Sequence, residues 1–295
     1  MGVLHHFIMN SVKHLRFVAR LKVWGQNIGF LFSWIVVLFI LAIPLMPFTI
    51  IAESIKESAV VGQLHMFVSI ILTGFIWSRY IYREKFKSIG LTPFGKSGRR
   101  ELLWGLFYGT IAIVLGFLIS YSAGVIHIDS VGYPGDFLIS IFIMILVAIG
   151  EEVLTRGYIQ RRFMKVYGNF TALILSSAIF MIMHMLNANL TLLAYINLFL
   201  AGILLGTAYI VTKSLWLPIG LHFAWNFMQG PVMGFAVSGQ TTGSVVNQHF
   251  VAGSDWLSGG AFGFEGSVPC IIIVLLLVLV LYRYHRVKNL CSVQN

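Results

Sequence analysis

The sequence predicts an all-α, polytopic membrane protein: a bundle of about eight transmembrane helices with both termini cytoplasmic. Three observations predict it. The 295-residue chain is 58% hydrophobic and only 10% charged, with a mean hydropathy of +0.88, whereas an ordinary soluble domain carries about a quarter charged residues. Several uncharged runs reach the roughly 20 residues that a spanning helix needs. The basic residues collect in alternate connections, as they do in cytoplasmic loops.

In chain order, the apolar runs fall at 30–51, 60–78, 102–126, 137–160, 170–187, 192–212, 215–235 and 267–282. From Val166 to Thr212 there is no charge, too long a stretch for one crossing, and "LNANLT" at 186–191 supplies the polar turn that divides it. Short alternating strands, the mark of a membrane β-barrel, do not stand out. One connection holds Arg83, Lys85, Lys87, Lys96, Arg99 and Arg100. Other basic groups are Lys13, Arg16, Arg20 and Lys22 before the first run, Arg161, Arg162 and Lys165 after the fourth, Lys213, and Arg283, Arg286 and Lys288 in the tail. The intervening loops offer only Lys56 against Glu53, Glu57, Asp129, Asp136, Asp255 and Glu265. Both termini are therefore placed inside, which requires an even number of spans.

This divides the chain into a cytoplasmic segment 1–29, a membrane domain 30–282 and a cytoplasmic tail 283–295. The net charge of +10 then reflects loops beside anionic lipid rather than nucleic acid. No internal repeat is evident, which weighs against a transporter of inverted halves. "GLFYG" at 105–109 and "GILLG" at 202–206 are small-xxx-small patterns for close helix packing. Cys270 and Cys291 lie at opposite ends of the last run, so no disulfide is expected between them. A cleavable signal peptide is not expected either, because the basic lead extends past residue 20 and the first run is too long. The glycine- and serine-rich stretch 238–266 is expected to be an extracytoplasmic loop.

Ionisable groups inside spans are costly and usually functional. Few exist here: His65, Glu151, Glu152, Arg156, His184 and His222, with Asn197 and Asn226 as polar company. Glu152 and Arg156 have the order and spacing of a helical ion pair, which leaves Glu151, about 100° around the helix, as the free carboxylate. Counting from the basic group at Arg161 puts Glu151 roughly 13 Å deep. Phe180 and His184 share one helix face, as do His222 and Asn226. A lone histidine in an apolar helix is more often a packing residue, and His65 is read as packing or a helix–helix hydrogen bond. Glu, His, His and Asn drawn from three helices could instead form a water-activating site. One tension stands: His184 falls near 21 Å from the start of its run, deeper than Glu151.

These segments carry a resemblance. "EEVLTRGYIQ" is similar to the EExxxR motif of the CAAX protease and bacteriocin-processing family (CPBP, also Abi), "FMIMH" to its FxxxH motif and "HFAWN" to its HxxxN motif. The likeness is dense from about residue 100 to 235. It implies a glutamate-dependent intramembrane endopeptidase, with Glu151 and His184 activating water and His222 and Asn226 stabilising the oxyanion. Glu152, Arg156 and Phe180 would support them. Its substrate would be a membrane-embedded or membrane-proximal peptide or protein, and its setting the bilayer of a bacterial plasma membrane. Bacterial members are associated with bacteriocin processing and self-immunity. No HExxH motif occurs, so the sequence neither requires nor excludes a divalent ion such as zinc, whose candidate ligands are Glu151, His184 and His222. The competing reading is a non-catalytic immunity or scaffold protein that binds a peptide or membrane partner. A transporter is the third and weakest.

Overall fold

Lipid offers a backbone no hydrogen bonds, so long apolar segments satisfy their N–H and C=O groups internally as helices. The computed structural model describes residues 2–51 and 55–293, with side chains described over 13–44 and 59–283. Its helices are α1 (Gly2–Ile51), α2 (Ile55–Ile76), α3 (Lys96–Ser122), α4 (Phe137–Glu152), α5 (Arg161–Met183), α6 (Leu192–Thr212), α7 (Trp216–Phe227), the short α8 (Asp255–Ser258) and α9 (Val268–Val293). Wider, π-helical turns extend α2 over Trp77–Tyr82, join α4 to α5 over Val153–Gln160, and extend α7 over Met228–Val232.

Among the described residues, five helical stretches are long and apolar enough to cross a membrane: Lys13–Pro44, Ala59–Tyr82, Lys96–Ser122, Phe137–Met183 and Leu192–Thr212. All eight runs expected from the sequence are helical over most of their length. The third stops at Ser122 and the fifth at Met183, each a few residues early. Residue 29 marks no break, since α1 continues through it.

The largest departure concerns the fourth and fifth runs. Helix was expected to end at the basic group near Arg161, but it continues to Tyr167 and turns at Gly168, where φ is +79° and ψ is 175°. That backbone is open to glycine alone at little cost. The tension over depth disappears with it. Glu151 lies 17 residues before this turn and His184 16 residues after it, so on antiparallel limbs of equal rise they stand side by side.

The basic group has another role. Arg161, Arg162 and Lys165 converge on Glu84 of the α2–α3 connection at 2.7, 3.2 and 2.7 Å. Partial burial works to raise the Glu84 pKa, but hydrogen bonds from Lys165 and Arg161 and the Arg162 charge outweigh it and hold the carboxyl at about 2. The Arg162 guanidinium also stacks over the Tyr82 ring, 3.3 Å from its centroid.

A purely all-α expectation needs one correction. Strands β1 (Ile126–Val131) and β2 (Val246–Phe250) form a two-stranded antiparallel ribbon with His127 opposite His249. The first strand alternates apolar and polar residues over Ile126–Asp129, the period of a strand, whereas the second has apolar residues only at its two ends, Val246 and Phe250. The stretch 238–266 is likewise no open loop: Phe262 and Phe264 are fully buried in it.

Close packing occurs where glycines permit it. A Cβ on Gly105 would sit 2.3 Å from the Leu217 carbonyl oxygen, and one on Gly220 would sit 2.5 Å from that of Leu102, so α3 and α7 meet backbone to backbone. Gly202 and Gly206 seat α6 against Ser177 and Leu173 of α5. Both small-xxx-small patterns thus do the packing expected of them. The His65 ring also donates across helices, Nε2 to the Leu38 carbonyl at 2.7 Å. Cys270 is buried and free, while the side chain of Cys291 lies outside the described residues, as do those of Glu53, Lys56 and Glu57.

Candidate active site

Three helical segments bring their polar groups to one place. Glu151 and Glu152 end α4, His184 caps the end of α5, and His222 and Asn226 lie one turn apart on α7. The side chain of Glu151 is 27% exposed, whereas Glu152 is fully buried. That difference separates their tasks.

Glu152 is held. Its Oε1 accepts from Arg156 Nη1 at 2.7 Å and from His222 Nδ1 at 2.9 Å. Arg156 is itself buried and donates further to Thr155 Oγ1 at 2.9 Å and the Gly202 carbonyl at 3.3 Å. Its guanidinium lies 4.6 Å from the Phe180 ring centroid, a favourable cation–π placement for a desolvated cation. The ion pair read from the i, i+4 spacing is present. What the spacing could not show is that Glu152 reaches across to α7 and orients His222.

Glu151 faces the open side. Its Oε2 lies 3.8 Å from His184 Nε2 and 3.9 Å from His222 Nε2. Both separations exceed a direct hydrogen bond, yet one water at about 2.8 Å from each group bridges up to about 4.4 Å. The ring partners assign the protons. His184 Nδ1 is 2.8 Å from the Phe180 carbonyl, which only accepts, so Nδ1 carries hydrogen and Nε2 is the ring nitrogen turned toward Glu151. His222 Nδ1 likewise donates to the Glu152 carboxylate. Phe180 is the common wall, 4.6 Å centroid to centroid from His184 and 6.4 Å from His222.

Asn226 is 94% buried (6% exposed) and lines the same cavity of about 680 Å³ as Glu151, His184 and His222. The same lining includes Trp34 and Gln63 from the first two helices, and Ser238 and Glu265 from the stretch 238–266. Glu265 was not singled out from the sequence. Its only local signal is a carboxylate between Phe262, Phe264 and several glycines, and burial decides its importance: Trp225 Nε1 donates to it at 3.2 Å, and Ser238 N and Oγ at 3.0 and 2.8 Å. The π-helical turn after Glu152 was also missed, since its eight residues are all buried by tertiary packing. Asn197, read as polar company, stands apart and donates to the Ser267 carbonyl at 2.8 Å.

Donor spacing bears on a metal. Ligands that share a tetrahedral zinc at about 2.05 Å lie about 3.4 Å from one another, closer than the 3.8 and 3.9 Å found here. Among the described residues no group of three His, Cys, Asp or Glu side chains closes into such a set.

Residues 133–228, about a third of the chain, match the family model for the Type II CAAX prenyl endopeptidase, Rce1-like. That stretch is similar to an Rce1-like domain, and it encloses every residue of the Glu–His–His–Asn constellation. No curated protein matches the chain. The Rce1-like domain and the apolar helices together make this an integral, multi-pass membrane protein.

Proposed function

We propose that the chain is a glutamate-dependent intramembrane endopeptidase that hydrolyses peptide bonds of membrane-associated peptides or proteins. The observation that carries this reading is the approach of two histidines from two other helices to one oxygen of a partly exposed carboxylate. Glu151 is the general base. It takes a proton from water held between Oε2 and His184 Nε2, and the oxygen attacks the scissile carbonyl carbon. Asn226 donates through its amide to the resulting oxyanion. His222 joins it in the doubly protonated ring, giving Nε2–H to the oxyanion while Nδ1–H stays on Glu152. Glu151 then returns its proton to the leaving amine. Glu152 and Arg156 position His222, and no step runs through a metal.

The charge asymmetry of the connections supports eight crossings with both termini cytoplasmic. On that orientation the cavity's loop wall, Ser238 to Thr242, lies on the extracytoplasmic side, opposite the basic group around Glu84. Such a site suits peptides met at the outer face of a bacterial plasma membrane, as in bacteriocin processing or self-immunity.

The test is cleavage of membrane peptides by purified wild type beside Glu151→Gln, both checked for folding. Loss of about 10²-fold or more in the variant is expected for a general base. Equal cleavage by both removes Glu151 from the reaction.

A further inference from the structure

The charges lining the cavity say which peptide it takes. Its formally charged lining groups are Glu151 and Glu265, and neither lysine nor arginine lines it. Arg156 lies behind the wall, 1% exposed. Glu265 is 92% buried (8% exposed), and its three donors are an indole, a backbone amide and a hydroxyl. All are neutral, and no cation pairs with it among the described residues. A carboxylate withdrawn from water without a counter-charge is costly, and a cationic group brought into the cavity would offset that cost. Beside it, Asn226 has no hydrogen-bond partner among the described residues and is 94% buried (6% exposed) against the cavity. Its amide is placed to hold a ligand's backbone. Trp225, the donor to Glu265, is its neighbour in sequence.

We propose that Glu265 is the subsite for a basic side chain, lysine or arginine, of the bound peptide, and that the cavity disfavours a free C-terminal carboxylate. This rests on reading the cavity as a peptide site. The cavity lining also includes Leu198, Leu204, Val237 and Val274, which suits a side chain with an apolar stem and a charged head. A terminal carboxylate seated on Glu265 would meet like charge there, and no lysine or arginine lines the cavity to receive it.

The experiment measures binding apart from cleavage. Full-length protein in zwitterionic phosphatidylcholine nanodiscs is titrated with dye-labelled, amidated peptides of one apolar sequence carrying lysine, norleucine or glutamate at one internal position. The lysine peptide is also made with a free C-terminal carboxylate. Lysine is expected to bind about tenfold more tightly than norleucine at low salt, the effect of one unit charge in a partly wet cavity, with glutamate weakest and the free carboxylate weaker than the amide. Glu265→Gln should erase the advantage of lysine over norleucine. Thr241→Lys, at an exposed rim position, should also reduce the advantage without touching the buried carboxylate. Equal binding of lysine and norleucine by wild type, an advantage that survives Glu265→Gln, or no binding of any of these peptides overturns the proposal. Charge-selective binding without cleavage keeps the subsite and removes the protease reading; cleavage without charge selectivity does the reverse.

Discussion

A single methyl group far from the reacting atoms should disable the site. In Gly105→Ala the new Cβ would lie 2.3 Å from the Leu217 carbonyl oxygen and 2.6 Å from the Leu221 amide nitrogen. An unstrained carbon–oxygen contact is about 3.3 Å, so α3 and α7 must part by about 1 Å, an overpacking cost of about 1–3 kcal/mol. Alanine recovers up to ~1 kcal/mol of helix propensity over glycine, so the net change in stability is small to moderate. The control is Gly25→Ala, at an exposed position of α1 where a Cβ meets nothing within 4 Å. It gains the propensity without the clash, and the difference between the two variants isolates the contact. The larger effect falls on chemistry. The displaced stretch of α7 runs directly into His222, and a misplacement of about 1 Å can lower a rate by about 10²-fold. Thermal unfolding in detergent and peptide cleavage, run on wild type and both variants, measure the two effects. If Gly105→Ala melts like Gly25→Ala and cleaves like wild type, the backbone contact between α3 and α7 does not position His222.

Three further outcomes follow from the same geometry. Arg156→Gln strands the fully buried Glu152 without its cation, a loss of about 3–5 kcal/mol; pairing it with Glu152→Gln should restore much of the folded yield, read by size-exclusion chromatography, and no rescue would show that the ion pair is not the cause. Glu84 has a folded pKa of about 2 against an ordinary 4.5, so its stabilising contribution is complete above about 4.5 and is lost as the pH falls from there toward 2. Melting temperature should drop through that window in wild type and less in Glu84→Gln; parallel curves would refute the assignment. Strong chelators should leave cleavage within about twofold of the untreated rate, since the 3.8 and 3.9 Å separations exceed those of shared zinc ligands, whereas loss reversed by added zinc would show that the site closes on an ion.

Much of the chemistry was legible because it is local. Glu152–Arg156, Phe180–His184 and His222–Asn226 are each four residues apart, and a helix puts such residues on one face whatever surrounds it. Composition alone made the chain a helical membrane protein, and the two glycine pairs announced close packing. Relations between helices were not legible in the same way. The basic group at Arg161 looked like the end of a span because charge usually marks the interface, yet its partner is Glu84, 77 residues earlier.

What the sequence by itself determined is therefore the membrane class, the helical segments and the three pairs of reactive residues, all set by period and polarity along one chain. Only the tertiary structure decided which groups meet. The turn at Gly168 sets His184 level with Glu151, the α3–α7 contact brings His222 onto Glu152, and the folding of 238–266 into the bundle buries Glu265 beside the same cavity. Those outcomes depend on where helices turn and how closely their backbones approach, and distances between residues 27 to 118 apart in sequence carry no periodic signal.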